Sequence, residues 1–171
     1  MVEEGEEEPQ AEQQAEIETF EKGESGSSHT YPVQAGSLKK GSYAMLNGFP
    51  CRVVEMSSSK TGKHGHAKAT IVGIDIFTHK KHEDSAPSSH SIDAPFVTRK
   101  EYQLADITSD GFVSCLLENG ETKEDLKLPT EEDDQKMVEK LRETFESGKT
   151  IIIGVMSAMG IEKIVDFKEL S

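Results

Sequence analysis

Two Asn-Gly pairs, Asn47-Gly48 and Asn119-Gly120, each stand between runs of apolar and β-branched residues. Asn and Gly tolerate the positive φ that a tight turn demands, so a chain with this pattern is steered into short antiparallel hairpins. The first pair joins SYAML to FPCRVVEM. The second separates FVSCLLE from ETKEDLKL, and Ser109-Asp110-Gly111 connects FVSCLLE to the preceding TRKEYQLADI. ATIVGIDIF at 69–77 is rich in β-branched residues and predicts a buried strand. The segment 79–95, HKKHEDSAPSSHSIDAP, turns polar, and Pro87 and Pro95 read as punctuation with a domain boundary near Ala94.

Beyond that boundary the three strand-like runs form an expected meander. A helix follows, with Thr130 as N-cap, Asp133 in the first turn, Met137, Leu141 and Phe145 spaced four apart, and Gly148 past the end. KTIIIGVM and IEKIVDFK supply two more strands. The order β-β-β-α-β-β is that of a five-stranded oligonucleotide/oligosaccharide-binding (OB) barrel, which assigns residues 95–171 to such a fold. Its aromatics, Phe96, Tyr102, Phe112, Phe145 and Phe167, are expected mostly in the core.

The net charge of −13 would repel nucleic acid if it were spread evenly, but it is not. Residues 1–30 carry ten Glu against one Lys, residues 31–82 eight bases against two acids, and residues 83–171 ten bases against twenty acids. A phosphate-rich partner is therefore expected at 31–82, because local field steers association. Residues 1–30 offer only Ile17 and Phe20 as sizeable apolar anchors, too few to offset the entropy of ordering, and predict a disordered acidic tail. No run approaches the ~18 apolar residues of a membrane span. The acidic start lacks the features of a secretory or transit peptide, so a cytoplasmic location is expected. Cys51 and Cys115, alone in their apolar runs, read as core thiols.

Residues 57–68, SSSKTGKHGHAK, contain no acid and no large apolar side chain, so they read as a loop that projects into solvent. Gly62 and Gly65 bracket Lys63-His64 and permit a tight tip with Lys63 at its apex. An accessible lysine on a rigid hairpin suits both a modifying enzyme and a phosphate partner. His64 and His66 have a spacing found in metal sites, yet no carboxylate or Cys accompanies them, and no metal is expected. TGKHG departs from a P-loop at Ser57, at His64 and in the strand that follows. Asp75, without a paired base, reads as a structural carboxylate. His79, Lys80, Lys81 and His82 form a second basic patch, equally a solvated turn or an RNA-backbone contact. No nucleophile-base or metal constellation supports an enzyme. A generic single-strand-binding module is disfavoured by the acidity of the C-terminal barrel.

SKTGKHGHAK followed by VGIDIFT resembles the hypusination loop of the eukaryotic translation initiation factor 5A family. The likeness runs from about Gly36 to the C-terminus through KKGSYAMLNGFPCRVVEM, DAP and EDLKLP; Ser58 stands where the family often has Thr. The resemblance implies that residues 31–94 form an SH3-like β-barrel carrying the loop. It also implies that Lys63 becomes hypusine by aminobutyl transfer from spermidine and hydroxylation, with no cofactor besides. Lys60, Thr61, Gly62, His64, Gly65, His66 and Lys68 would then face the modifying enzymes, deoxyhypusine synthase and deoxyhypusine hydroxylase, and tRNA and rRNA. The implied partners are the ribosome and its peptidyl-tRNA, with no membrane, and the implied state is a monomer or weak homodimer. The implied role is to promote peptide-bond formation and relieve stalling, including at polyproline stretches, in elongation and termination.

Overall fold

The computed structural model describes residues 28–60 and 65–170. The expected tail therefore falls outside the described residues except for its last three positions, and of these Thr30 already belongs to a strand. Six strands make up the first half: β1 (Thr30–Gln34), β2 (Tyr43–Leu46), β3 (Phe49–Lys60), β4 (Ala67–Asp75), β5 (Lys81–Pro87) and β6 (Ser91–Pro95). They form a four-stranded sheet in the order β2-β3-β4-β5 and a β1-β6 pair, a curled SH3-like arrangement. The Asn47-Gly48 turn is the tight hairpin the sequence predicts, with φ of 53° and 87° and Leu46 directly opposite Phe49.

The core of this half is made by the inward positions of β2, β3 and β4, with Leu46, Cys51, Val53 and Ile71 essentially buried. Strand β4 passes so closely beneath the β2-β3 hairpin that only glycine fits at Gly73. A Cβ there would lie 2.8 Å from Leu46 Cδ1, 2.9 Å from Cys51 Cβ and 3.0 Å from the Arg52 carbonyl. Asp75 ends β4 and has the structural role expected of it. It is buried, and its Oδ1 accepts the N–H groups of Phe77 (2.8 Å) and Thr78 (3.2 Å).

The polar segment 79–95 is not mere punctuation, because it contains β5 and β6. Their outward side chains meet solvent, so the pattern carries little apolar signal. What builds these strands is pairing with neighbours elsewhere in the chain, β5 with β4 and β6 with β1. Edge pairing of this kind is decided by tertiary context rather than propensity.

The second half contains β7 (Thr98–Ile107), β8 (Phe112–Leu116), β9 (Thr122–Lys127), α1 (Gln135–Glu146), β10 (Thr150–Ala158) and β11 (Ile161–Leu170). They form one sheet ordered β9-β8-β7-β10-β11, the expected OB topology. Bulges in β7 and β11 bend it, as barrel curvature requires. Its core includes Val113, Cys115, Leu126, Leu141, Ile153 and Ile164, with Tyr102, Met137, Phe145 and Phe167 packed against it. Phe96 and Phe112 depart from expectation and are exposed. Phe96 lies against Tyr31, with ring centroids 4.7 Å apart. Phe112 lies under the Lys127 ammonium, 5.3 Å from the ring centre.

The helix starts later than the Thr130 cap predicts. A 3₁₀ turn at Glu132–Asp134 intervenes, and α1 begins at Gln135 with Asp134 at the N-cap position but no side-chain cap bond. Instead Gln135 Nε2 donates to the carbonyls of Pro129 and Glu131, at 3.0 Å each. The Asp134 carboxylate is turned elsewhere, toward His79 and Lys163.

Candidate functional site: the β3-β4 hairpin

Strand β3 begins as a core strand and ends as something else. Cys51 and Val53 point inward and Arg52 outward, a bulge between Val53 and Glu55 resets the phase, and Met56 is the last half-buried apolar residue. From Ser57 to Lys60 every residue is exposed. Without an apolar side chain on either face, SSSK has nothing to bury. These residues nevertheless remain strand, because their backbone groups pair with β4: Ser57 opposite Thr70, Ser58 opposite Ala69, Ser59 opposite Lys68 and Lys60 opposite Ala67.

The expected loop over 57–68 is therefore shorter than predicted, and residues 57–60 and 67–68 form a two-stranded arm. Composition correctly indicates exposure there but is silent about backbone pairing, which needs no apolar side chain. Strand β5 braces the arm from the β4 side, with Lys68 opposite Pro87 and Ser88 N–H donating to the Ala67 carbonyl at 2.9 Å.

Of the residues singled out from the sequence, Lys60 and Lys68 lie exposed on the two facing strands, His66 is exposed and Gly65 half-buried just before β4. Thr61, Gly62, Lys63 and His64 lie outside the described residues. The electrostatic arrangement along the arm is graded. On β5 the carboxylates Glu83 and Asp84 stand opposite Val72 and Ile71, and beyond them the rungs run Ser85, Ala86 and Pro87 to Lys68. Glu55 is the last acid on β3. Cations thus collect past the final carboxylates, so a phosphate approaching the outer end meets positive charge without a competing anion on these strands.

The second basic patch divides into partnered imidazoles and exposed lysines. His79, at φ 68°, donates through Nε2 to Asp134 at 3.0 Å. His82 stacks on Phe49, with ring centroids 4.6 Å apart and planes 18° from parallel. Only Lys80 and Lys81 remain as exposed cations of that group. Among the described residues no group of three or more His, Cys, Asp or Glu side chains is placed to hold a metal ion. No helix of the described residues is long and apolar enough to cross a membrane.

Comparison with known proteins adds to this geometry. Residues 28–90 match the family model "Translation initiation factor 5A-like, N-terminal". Residues 96–168 match "Eukaryotic elongation factor 5A hypusine, DNA-binding OB fold". The chain is 56% identical over 151 residues to eukaryotic translation initiation factor 5A-3 of Arabidopsis thaliana, spanning 88% of this chain and 94% of that one. It is 53% identical over 149 residues to the 5A-4 protein of Solanum tuberosum, spanning 87% and 92%. A solved family protein from Naegleria fowleri superposes with a TM-score of 0.78 at 56% identity, covering 82% of this chain and 99% of that one. The protein from Methanococcus jannaschii does so at 0.62 and 35% identity, covering 82% and 96%.

Proposed function

Since the chain belongs to the translation initiation factor 5A family, with both the N-terminal and the OB-fold family models matched, we propose that Lys63 is its modified residue. In this reading deoxyhypusine synthase transfers the aminobutyl group of spermidine to the Lys63 amine, and deoxyhypusine hydroxylase completes hypusine. The observation that carries the reading is the arm itself. Two exposed strands run outward past the last acids of β3 and β5, with Lys60 and Lys68 on facing strands and Lys63 in the connection between them.

The protein acts in the cytoplasm as a monomer or weak homodimer, binding the ribosome beside peptidyl-tRNA with the arm toward the acceptor end. Modification keeps the original amine cationic and adds a second cation farther out. The tip therefore gains charge and reach without any change in the fold. The protein supplies no nucleophile or base. Its contribution is to position the peptidyl-tRNA, and positioning reactants is a recognised source of rate enhancement. Lys60, Thr61, Gly62, His64, Gly65, His66 and Lys68 are the positions the modifying enzymes read and the ones that face tRNA and rRNA.

The test is mass spectrometry on the protein from its native host, with fragmentation of the peptide that contains residue 63. The expected result is the mass of an aminobutyl group plus one oxygen on Lys63 and on neither Lys60 nor Lys68. A bare Lys63 in growing cells would sink the assignment. Lys63→Arg should fold normally and fail to support growth, because arginine keeps the charge and cannot accept the modification.

A further inference from the structure

Among the described residues, the two halves of the chain share neither a sheet nor an apolar core. No strand among β1–β6 pairs with one among β7–β11, and the two buried apolar clusters have no residue in common. Only Phe96 and Val97 separate β6 from β7. Next to this connection the Phe96 N–H donates to the His29 carbonyl at 3.0 Å and the Phe96 ring meets Tyr31. A single short connection of this kind is a hinge unless something else constrains it.

The second constraint is ionic and buried. Lys163 lies on β11, only 8% exposed, and its ammonium reaches across to donate to the carbonyl of Phe77 in the β4-β5 turn of the other half. The same ammonium lies 2.6 Å from Asp134 Oδ2 and 3.1 Å from Glu131 Oε1. Asp134, also 8% exposed, accepts from His79 of that same turn through its other oxygen, at 3.0 Å. Among the described residues the side-chain hydrogen bonds between the halves converge on the 75–80 turn, whose shape is set by Asp75. The Asp75 side chain receives two backbone N–H groups, and its carbonyl accepts the His79 N–H at 3.0 Å. Left-handed backbone at His79 then aims the imidazole at Asp134.

Taking two charges out of water costs about as much as their attraction returns, so a buried pair of this kind is weak evidence for stability and stronger evidence for a fixed geometry. Two of the ammonium's partners, Asp134 and Glu131, belong to its own half; the links across to the other half are its hydrogen bond to the Phe77 carbonyl and the His79–Asp134 hydrogen bond. We propose that Lys163 and Asp134 form an electrostatic latch that holds the β3-β4 arm in one orientation relative to the C-terminal barrel. Breaking the latch frees the two halves to reorient about residues 96–97 while each keeps its own fold. The latch rests on these contacts alone and is independent of what happens at Lys63.

The test is residual dipolar couplings measured on the full chain in weakly aligning medium. The couplings of residues 30–95 and 98–170 are fitted separately for the wild type, Lys163→Met, Asp134→Asn and the double variant Lys163→Met/Asp134→Leu. The wild type should fit one common alignment tensor. Lys163→Met and the double variant should lose it and fit two different tensors, with amide shifts away from residues 75–80, 131–134 and 163 unchanged. A common tensor that persists in both of those variants overturns the proposal. So does loss of folding of the C-terminal barrel in all three variants, since Lys163 and Asp134 would then be supports of that barrel and not a latch between halves.

Discussion

Replacing Gly73 with alanine tests how tightly β4 is pressed beneath the β2-β3 hairpin. The added methyl would sit 2.8 Å from Leu46 Cδ1, 2.9 Å from Cys51 Cβ and 3.0 Å from the Arg52 carbonyl oxygen. Non-bonded heavy atoms prefer roughly 3.5 to 4.0 Å, so three neighbours must each yield about half an ångström or more. Leu46 and Cys51 are fully buried, and the third contact is backbone in a paired strand. Overpacking of this kind costs about 1 to 3 kcal/mol. Alanine returns roughly 0.4 to 1 kcal/mol by restricting the unfolded chain. The net expectation is a loss of about 1 to 2 kcal/mol.

The two cysteines make a convenient assay, because Cys51 belongs to the first core and Cys115 to the second, and both are buried free thiols. Pulsed alkylation across a urea series, read by mass spectrometry, reports the unfolding of each half separately. With a urea slope of about 1 to 3 kcal/mol per molar, Gly73→Ala should lower the Cys51 midpoint by about half to one molar and leave that of Cys115 unchanged. Gly48→Ala separates crowding from backbone strain, since Gly48 has φ of 87° and a Cβ added there would meet nothing within 4 Å; it should cost about 1 kcal/mol through conformation alone. An unchanged or raised Cys51 midpoint in Gly73→Ala would refute the packing argument.

Three further outcomes are expected. Burial pushes the thiols of Cys51 and Cys115 up to about 11. Their contribution to stability is therefore intact below about pH 8.5 and is lost as pH rises from there toward 11, and Cys51→Ala should flatten that alkaline limb for the first half. Burial alone would raise the Asp134 carboxyl, but hydrogen bonds from Lys163 and His79 outweigh it and hold the group below the usual range. Its contribution is present above pH ~4 and falls away on further acidification, so Asp134→Asn should make acid unfolding shallower in a circular-dichroism titration. Replacing Lys60 and Lys68 together with Gln should weaken ribosome binding and reduce its salt dependence by roughly one counterion per lost phosphate contact. The control is Lys136 and Lys140 to Gln on the exposed face of α1. A larger slope change in the control would place the RNA-facing surface on the wrong half.

Local signals in the residues were enough for the hairpin at Asn47-Gly48, the meander of β7 to β9, the apolar stripe of α1, and the exposure of residues 57–60 and 66–68. Each depends on chemistry within a few positions: positive φ at a turn, alternation along a strand, a four-residue period, or a run with nothing to bury. The same reading placed Asp75 correctly, because a carboxylate at a strand end bonds to its own following backbone. Strands β5 and β6, the extension of β3 and β4 into a paired arm, and the late start of α1 were not legible. Their outward side chains carry no apolar pattern, and what holds them is backbone pairing and contacts that only the folded chain supplies. The roles of His79, Asp134 and Lys163 belong to the same class. A lysine in IEKIVDFK and an aspartate before a helix are ordinary as sequence. They pair within the second half, and only the fold adds the Phe77 carbonyl and the His79 imidazole of the other half to that pair. Local conformational preference is written into neighbouring residues, whereas burial of a charge is set by what the rest of the chain removes from water, and that is decided only in three dimensions.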